Sequence, residues 1–139
     1  MFAERISPEG LTPAQAGILA AISAEPGQSQ QALSNHFGVL PSRMVAFLDD
    51  LEERGYVERR RNPTDRRLHA LHLTPLGDEL TARLSKLARA HDQLLTAALT
   101  PQQRAALGES LAIIAEQHDL TRGVHPGYRH LPAPRQNER

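Results

Sequence analysis

Between residues 41 and 54 the apolar side chains Met44, Phe47, Leu48 and Leu51 recur at i, i+3, i+4 and i+7, so one face of a single helix carries all four. What precedes that helix constrains the chain further. Ser29 is an N-cap candidate, Ala32, Leu33 and Phe37 form the inner side of a short helix, and Gly38 supplies the left-handed residue that closes it. Two helices joined by a turn of about three residues containing glycine are the signature of a helix-turn-helix, whose second helix can enter a DNA major groove. Many helical hairpins share this spacing without a nucleic-acid role, so the pattern needs support from its surroundings.

That support follows directly in the chain. Gly55 stops the helix, residues 56–60 read as a strand, 62–65 as a turn and 68–73 as the returning strand. In the second strand Leu71 and Leu73 share one face, Ala70 and His72 the other. A two-stranded hairpin directly after a helix-turn-helix makes a winged helix, and five of the nine residues from Arg59 to Arg67, at its tip, are arginines. Over 139 residues 16 basic and 16 acidic side chains cancel, yet residues 54–67 hold six arginines against Glu58 and Asp65, a local net of +4. A clustered patch, rather than the overall balance, draws a phosphate backbone. Alone, such a turn is a solvated charged loop; at the tip of a wing it is a candidate for DNA contact.

The length fits one domain, and 40% hydrophobic with 23% charged residues is a globular composition. A first helix is predicted over residues 12–24, with Thr12 as N-cap, Pro13 at the first helical position, Ile18, Leu19 and Ile22 as its stripe, and Glu25-Pro26-Gly27 as its end. After the hairpin, Thr74-Pro75 opens a long amphipathic helix to about residue 98, with Leu76, Leu80, Leu84, Leu87 and Leu94 on its stripe and His91 interrupting it. Thr100-Pro101-Gln102-Gln103 combines an N-cap, a proline at N1 and a capping-box glutamine, opening a helix with Leu107, Leu111, Ile114 and His118 on one face. These two stripes are wide for so small a domain; they either pack within the chain or join two copies of it. From Asp119 onward the sequence is rich in Pro, Gly and charge and has no period. The expected fold is mainly α with a small two-stranded β wing. It is one domain over 1–139: a winged-helix DNA-binding part at 11–74, dimerisation helices at 75–118 and an irregular tail at 119–139.

Composition and motifs also exclude functions. The absence of cysteine rules out disulfides, thiolate zinc sites and cysteine redox switching. No apolar run approaches the roughly 18–20 residues of a membrane span, and the N-terminus lacks a signal-peptide pattern, so the cytoplasm is the simplest location. The seven histidines make no ligand set: His69 and His72 project to opposite faces of a strand, and His91, His118, His125 and His130 are dispersed. There is no nucleophile motif, no glycine-rich phosphate loop and no framed carboxylate pair, so no catalytic residue, metal or cofactor is expected.

The succession Leu11-Thr12-Pro13-Ala14-Gln15, the helix-turn-helix, Leu51-Glu52-Glu53-Arg54-Gly55-Tyr56-Val57-Glu58-Arg59, Asp65-Arg66-Arg67 and Leu73-Thr74-Pro75-Leu76-Gly77 resembles the MarR family of bacterial transcriptional regulators over about residues 10–118. The resemblance implies a winged-helix homodimer that binds pseudo-palindromic operator DNA, usually as a repressor, and that a small lipophilic or phenolic ligand releases. It makes residues 41–54 the recognition helix, with Ser42 and Arg43 facing the major groove. Asp65 and Arg67 match the wing motif, in which the arginine enters the minor groove and the aspartate holds it by a salt bridge. Arg66 and Arg61 are further wing contacts. An arginine at a turn presents a planar fork to phosphate or to a narrow minor groove, and a carboxylate two residues away restricts its rotamers. Asp65 is equally a favoured turn residue. Ser29 and Gln30, at the start of the preceding helix, are candidates for phosphate contact, although Ser29 also suits a simple cap.

Three features depart from the family pattern. About ten residues precede Leu11, where the family has a long first helix building much of the dimer interface; either the chain is shortened or another element substitutes. The recognition helix carries Asp49, Asp50, Glu52 and Glu53 against Arg43 and Arg54, a net of −2, with Ala46 and Asp50 where a basic residue is common. The proline-rich tail has no family counterpart. The acidic helix supports a second reading, a winged-helix protein-interaction module without operator binding. An effector pocket would form between the winged domain and the long helices.

Overall fold

A computed structural model describes residues 10–61, 64–65, 69–125 and 128. Among them the elements are α1 (Pro13–Ala24), α2 (Gln30–Phe37), α3 (Pro41–Glu53), β1 (Val57–Arg61), β2 (His69–Leu73), α4 (Pro75–Leu95) and α5 (Pro101–Gln117). Four of these helices start on a hydroxyl cap: Thr12, Ser29, Thr74 and Thr100 accept the backbone N–H of Gln15, Ala32, Gly77 and Gln103. At Thr12 and Thr100 the glutamine returns the bond to the cap backbone, completing a capping box. Gly38 closes α2 at φ 61°, and the backbone N–H of Val39 reaches back to the Ser34 carbonyl. That tight reversal sets α3 against α2.

The core is the meeting of the expected stripes, except that Ala32, expected on the inner side of α2, is exposed. Ile18, Leu19 and Ile22 from α1, Leu33 and Phe37 from α2, and Met44, Phe47, Leu48 and Leu51 from α3 are buried with Val57, Leu71, Leu80 and Leu84. Each such side chain contributes roughly 1.5–3 kcal/mol of burial. The hairpin is antiparallel, from Val57 opposite Leu73 to Arg61 opposite His69. It gains a third short segment: Ser29 forms a bridge with Ala70, Gly27 N–H donates to the Leu71 carbonyl at 2.8 Å, and Leu71 N–H donates to Gln28 at 3.0 Å. This pairing ties the start of α2 to the base of the wing.

Several boundaries differ from the sequence expectation. β1 runs one residue later, because Tyr56 still belongs to the turn after Gly55, its N–H bonding back to Leu51. α4 stops at Leu95 rather than near residue 98: the Thr96 hydroxyl donates to the Asp92 carbonyl at 2.7 Å and caps the helix. His118 is the C-cap of α5 rather than part of its stripe, followed by Asp119 at φ 51°. Residues 1–9, Leu68 and most of the tail beyond His125 lie outside the described residues.

The long helices behave unequally. Leu80, Thr81 and Leu84 of α4 are buried against the winged domain, whereas Leu76, Leu94 and Leu95 are exposed. No residue of α5 is buried, and Leu107, Leu111, Ile113 and Ile114 face outward. Packing within the chain therefore accounts for the first half of α4 and for none of the α5 stripe. Beyond α5, Val124 and Tyr128 pack back on the core. Tyr128 stacks on Phe37 with ring centroids 6.3 Å apart, beside Gly17 of α1, and burial raises its pKa above the ordinary tyrosine value.

Candidate nucleic-acid interface

Burying Met44, Phe47, Leu48 and Leu51 turns the opposite face of α3 outward. At its start Leu40, Pro41 and Ser42 are exposed and Arg43 is half-buried. Ser29 and Gln30 are half-buried at the start of α2. The Ser29 hydroxyl accepts from Ala32 N–H at 3.1 Å, so it serves as the cap, and its bridge to Ala70 brings it beside the wing. Because Ala70 pairs with Arg60 on one side and with Ser29 on the other, β2 lies between the start of α2 and the outer end of β1. Ser42 and Arg43 belong to the first turn of α3, just after the turn of the helix-turn-helix.

The arginine run, counted in sequence as one patch, is sorted by the fold into inward and outward members. Arg54 donates to the Gly10 carbonyl at 2.9 Å, lies 3.7 Å from Asp50 and sits over the Tyr56 ring at 5.3 Å. Arg59 bridges to Asp49 at 2.6 Å and also to Glu52, with only 20% of its side chain exposed. Arg60 bonds Glu58 two residues back. A local net of +4 thus overstates the charge available to a ligand. Arg61 is exposed at the end of β1 and holds no ion pair with another described residue. Asp65 is half-buried and has an interaction partner. Arg66 and Arg67, and with them the Asp65–Arg67 salt bridge, lie outside the described residues.

The same contacts revise the acidic recognition helix. Asp49 and Glu52 are taken by Arg59, and Asp50 accepts from the Gln15 amide at 2.5 Å beside Arg54. Buried Gln15 needs that acceptor, since its own carbonyl is occupied by the Thr12 backbone N–H at 3.0 Å. These carboxylates brace α3 against α1 and β1. They lie in its second half, roughly 9–15 Å along the axis from Ser42 and Arg43 at 1.5 Å per residue. Sequence reading missed the Arg59 clamp, although Glu52 followed seven residues later by a strand arginine was its available signal. Among the described residues no group of three His, Asp or Glu is placed to hold a metal ion, and no helix is long and apolar enough to cross a membrane.

A helix-turn-helix braced on a hairpin, with two helices running out from it, defines a winged-helix protein. A family profile described as the MarR family matches residues 9–68. The chain is 39% identical over 99 residues to a putative transcriptional regulatory protein for the hcr operon of Thauera aromatica, covering 71% of this chain and 60% of that one. It is 37% identical over 100 residues to an HTH-type transcriptional repressor of Mycobacterium tuberculosis, covering 71% of this chain and 72% of the other. Among solved structures, the transcriptional repressor CouR bound to a 23-mer DNA duplex superposes with a TM-score of 0.73 at 43% identity, covering 82% of this chain and 81% of that one. The chain belongs to the MarR family, whose members among these relatives are transcriptional regulators and not enzymes. It spans 60% of the length of the Thauera relative.

Proposed function

We propose that this chain is a homodimeric transcriptional repressor that binds a pseudo-palindromic operator and is released by a small lipophilic or phenolic ligand. The observation that carries the DNA-binding reading is the internal neutralisation of the acidic helix. With Asp49 and Glu52 engaged by Arg59, and Asp50 by Gln15 and Arg54, the acids no longer argue for a protein-interaction module. In this reading Ser42 and Arg43, at the start of α3, meet base edges, and Ser29, Gln30 and Arg61 meet the backbone. Asp65, Arg66 and Arg67 form the wing tip in this reading, with Arg67 in the minor groove. The location that goes with it is the cytoplasm.

The bare stripe of α5 supports the dimer. Leu107, Leu111 and Ile114 lie at i, i+4 and i+7 and are 42%, 55% and 52% exposed, a face that a second copy would cover. In this arrangement residues 11–74 read DNA, 75–118 join the protomers and 119–139 form the tail. The effector reading rests on family membership, and its site would lie between winged domain and long helices. Genome-wide mapping of bound sites tests the proposal: enrichment of a palindromic motif is expected, lost in Arg67→Ala. No enrichment, or a monomer by light scattering at micromolar concentration, would count against it.

A further inference from the structure

We propose that Leu40 determines specificity by packing on the C5-methyl group of a thymine in each operator half-site, an inference that rests on the DNA-binding reading above. Leu40 is 68% exposed, the highest value among the exposed large apolar side chains of the described residues. The others are Leu76 at the start of α4, four residues of the α5 face, Leu94 and Leu95 at the end of α4, and Leu120. Leu40 alone belongs to the helix-turn-helix. It occupies the N-cap of α3 with φ −61° and ψ 142° and gives no side-chain cap bond, although Ser, Thr, Asp or Asn is preferred there and caps the other four helices.

The surroundings fix the Leu40 backbone and leave its side chain in solvent. Val39, its neighbour in extended backbone, is buried at 9% exposure, so Leu40 projects the opposite way. Pro41 at the first helical position restricts Leu40 to the extended region, and the Leu40 carbonyl is anchored by Arg43 N–H at 3.0 Å and Met44 N–H at 3.1 Å. A backbone already held in place need not be ordered on contact. Leucine has no donor or acceptor, so it cannot use the hydrogen-bond code of the major groove. The one apolar group on those base edges is the thymine methyl. Adjacent Ser42 and Arg43 would supply the polar readout next to it.

Deoxyuridine differs from thymidine only by that methyl, which makes the test direct. Duplexes enriched from a random library by the full-length protein are resynthesised with each symmetry-related thymine pair replaced by deoxyuridine, and affinities are measured by fluorescence anisotropy. At one pair the wild type is expected to lose roughly ten- to twentyfold, the scale of two methyl contacts, one in each half-site. Leu40→Ser, which supplies a favoured N-cap and so preserves the helix, is expected to bind the two duplexes equally, while Leu40→Met keeps the discrimination. A wild type indifferent to every replacement, or a Leu40→Ser variant with an unchanged penalty, overturns the proposal while leaving DNA binding intact. Failure to enrich any duplex overturns the DNA-binding reading, and this proposal with it.

Discussion

Gly77→Ala places a methyl group where the fold has no room, at the joint between wing and long helix. A Cβ on Gly77 would lie 2.0 Å from the Tyr56 carbonyl oxygen and 2.9 Å from its carbonyl carbon. Ordinary carbon–oxygen contacts lie near 3.3 Å, so the helix start and the strand must part by about 1 Å. The obstructing oxygen cannot swing aside freely, because it accepts from Thr74 N–H at 3.1 Å. Thr74 is itself fixed, its hydroxyl donating to the Gly55 carbonyl at 2.6 Å and accepting from Gly77 N–H at 3.1 Å. Overpacking costs about 1–3 kcal/mol and weakening the Thr74 bond about 1 kcal/mol. The helix propensity gained on replacing glycine by alanine returns about 1 kcal/mol. The net is a destabilisation of about 1–3 kcal/mol, or roughly 4–12 °C in Tm for a domain of this size. Urea denaturation at fixed protein concentration measures it, with thermal melting as a second probe. A variant as stable as the wild type, or more stable, would refute the close approach of α4 to Tyr56.

Arg59→Ala is expected to weaken DNA binding by freeing Asp49 and Glu52 while leaving the salt slope unchanged, because Arg59 is held by carboxylates and not by phosphate; a slope reduced by about 0.9 per half-site would instead make it a phosphate contact. Gln15→Ala removes a buried amide that closes the α1 capping box and holds Asp50, and should cost about 2–3 kcal/mol in urea denaturation. A loss under 0.5 kcal/mol would contradict its bracing role. The raised pKa of Tyr128 gives a sign for alkaline pH. The folded state keeps the phenol proton longer than the unfolded chain, so the stabilisation is full below about pH 10 and is lost as pH rises through the folded value. Tyr128→Phe should flatten that decline, and an identical pH profile in wild type and variant would argue against the docked tail.

Local signals were the legible ones. Thr12, Ser29, Thr74 and Thr100 are caps because a hydroxyl one or two positions before an apolar period has few other uses, and Met44, Phe47, Leu48 and Leu51 are buried because helical spacing leaves them one face. What could not be read depends on residues far apart in the chain. The Ser29–Ala70 bridge joins positions separated by two helices and a strand, and no period announces it. The arginines 54, 59, 60 and 61 look alike in sequence, and only the packing of β1 on α3 decides that Arg59 serves the carboxylates while Arg61 faces out. Val124 and Tyr128 carry too few apolar neighbours to mark the tail as docked, yet both pack on the core, Tyr128 beside Gly17 and Phe37. Leu40 was overlooked because an apolar residue before a helix reads as core until its exposure is known.

Everything proposed for this chain depends on the outward arginines and the start of α3 meeting DNA although the chain as a whole is neutral. The most direct test of that contact is the affinity of the full-length protein for duplex DNA from its own promoter region, measured from about 50 to 200 mM salt. Log K is expected to fall linearly with log salt at about −0.9 per neutralised phosphate, and Arg61→Ala to make the slope shallower by about 0.9 for each half-site engaged. Binding that is undetectable at the lowest salt, or whose strength does not change across the range, would contradict that contact.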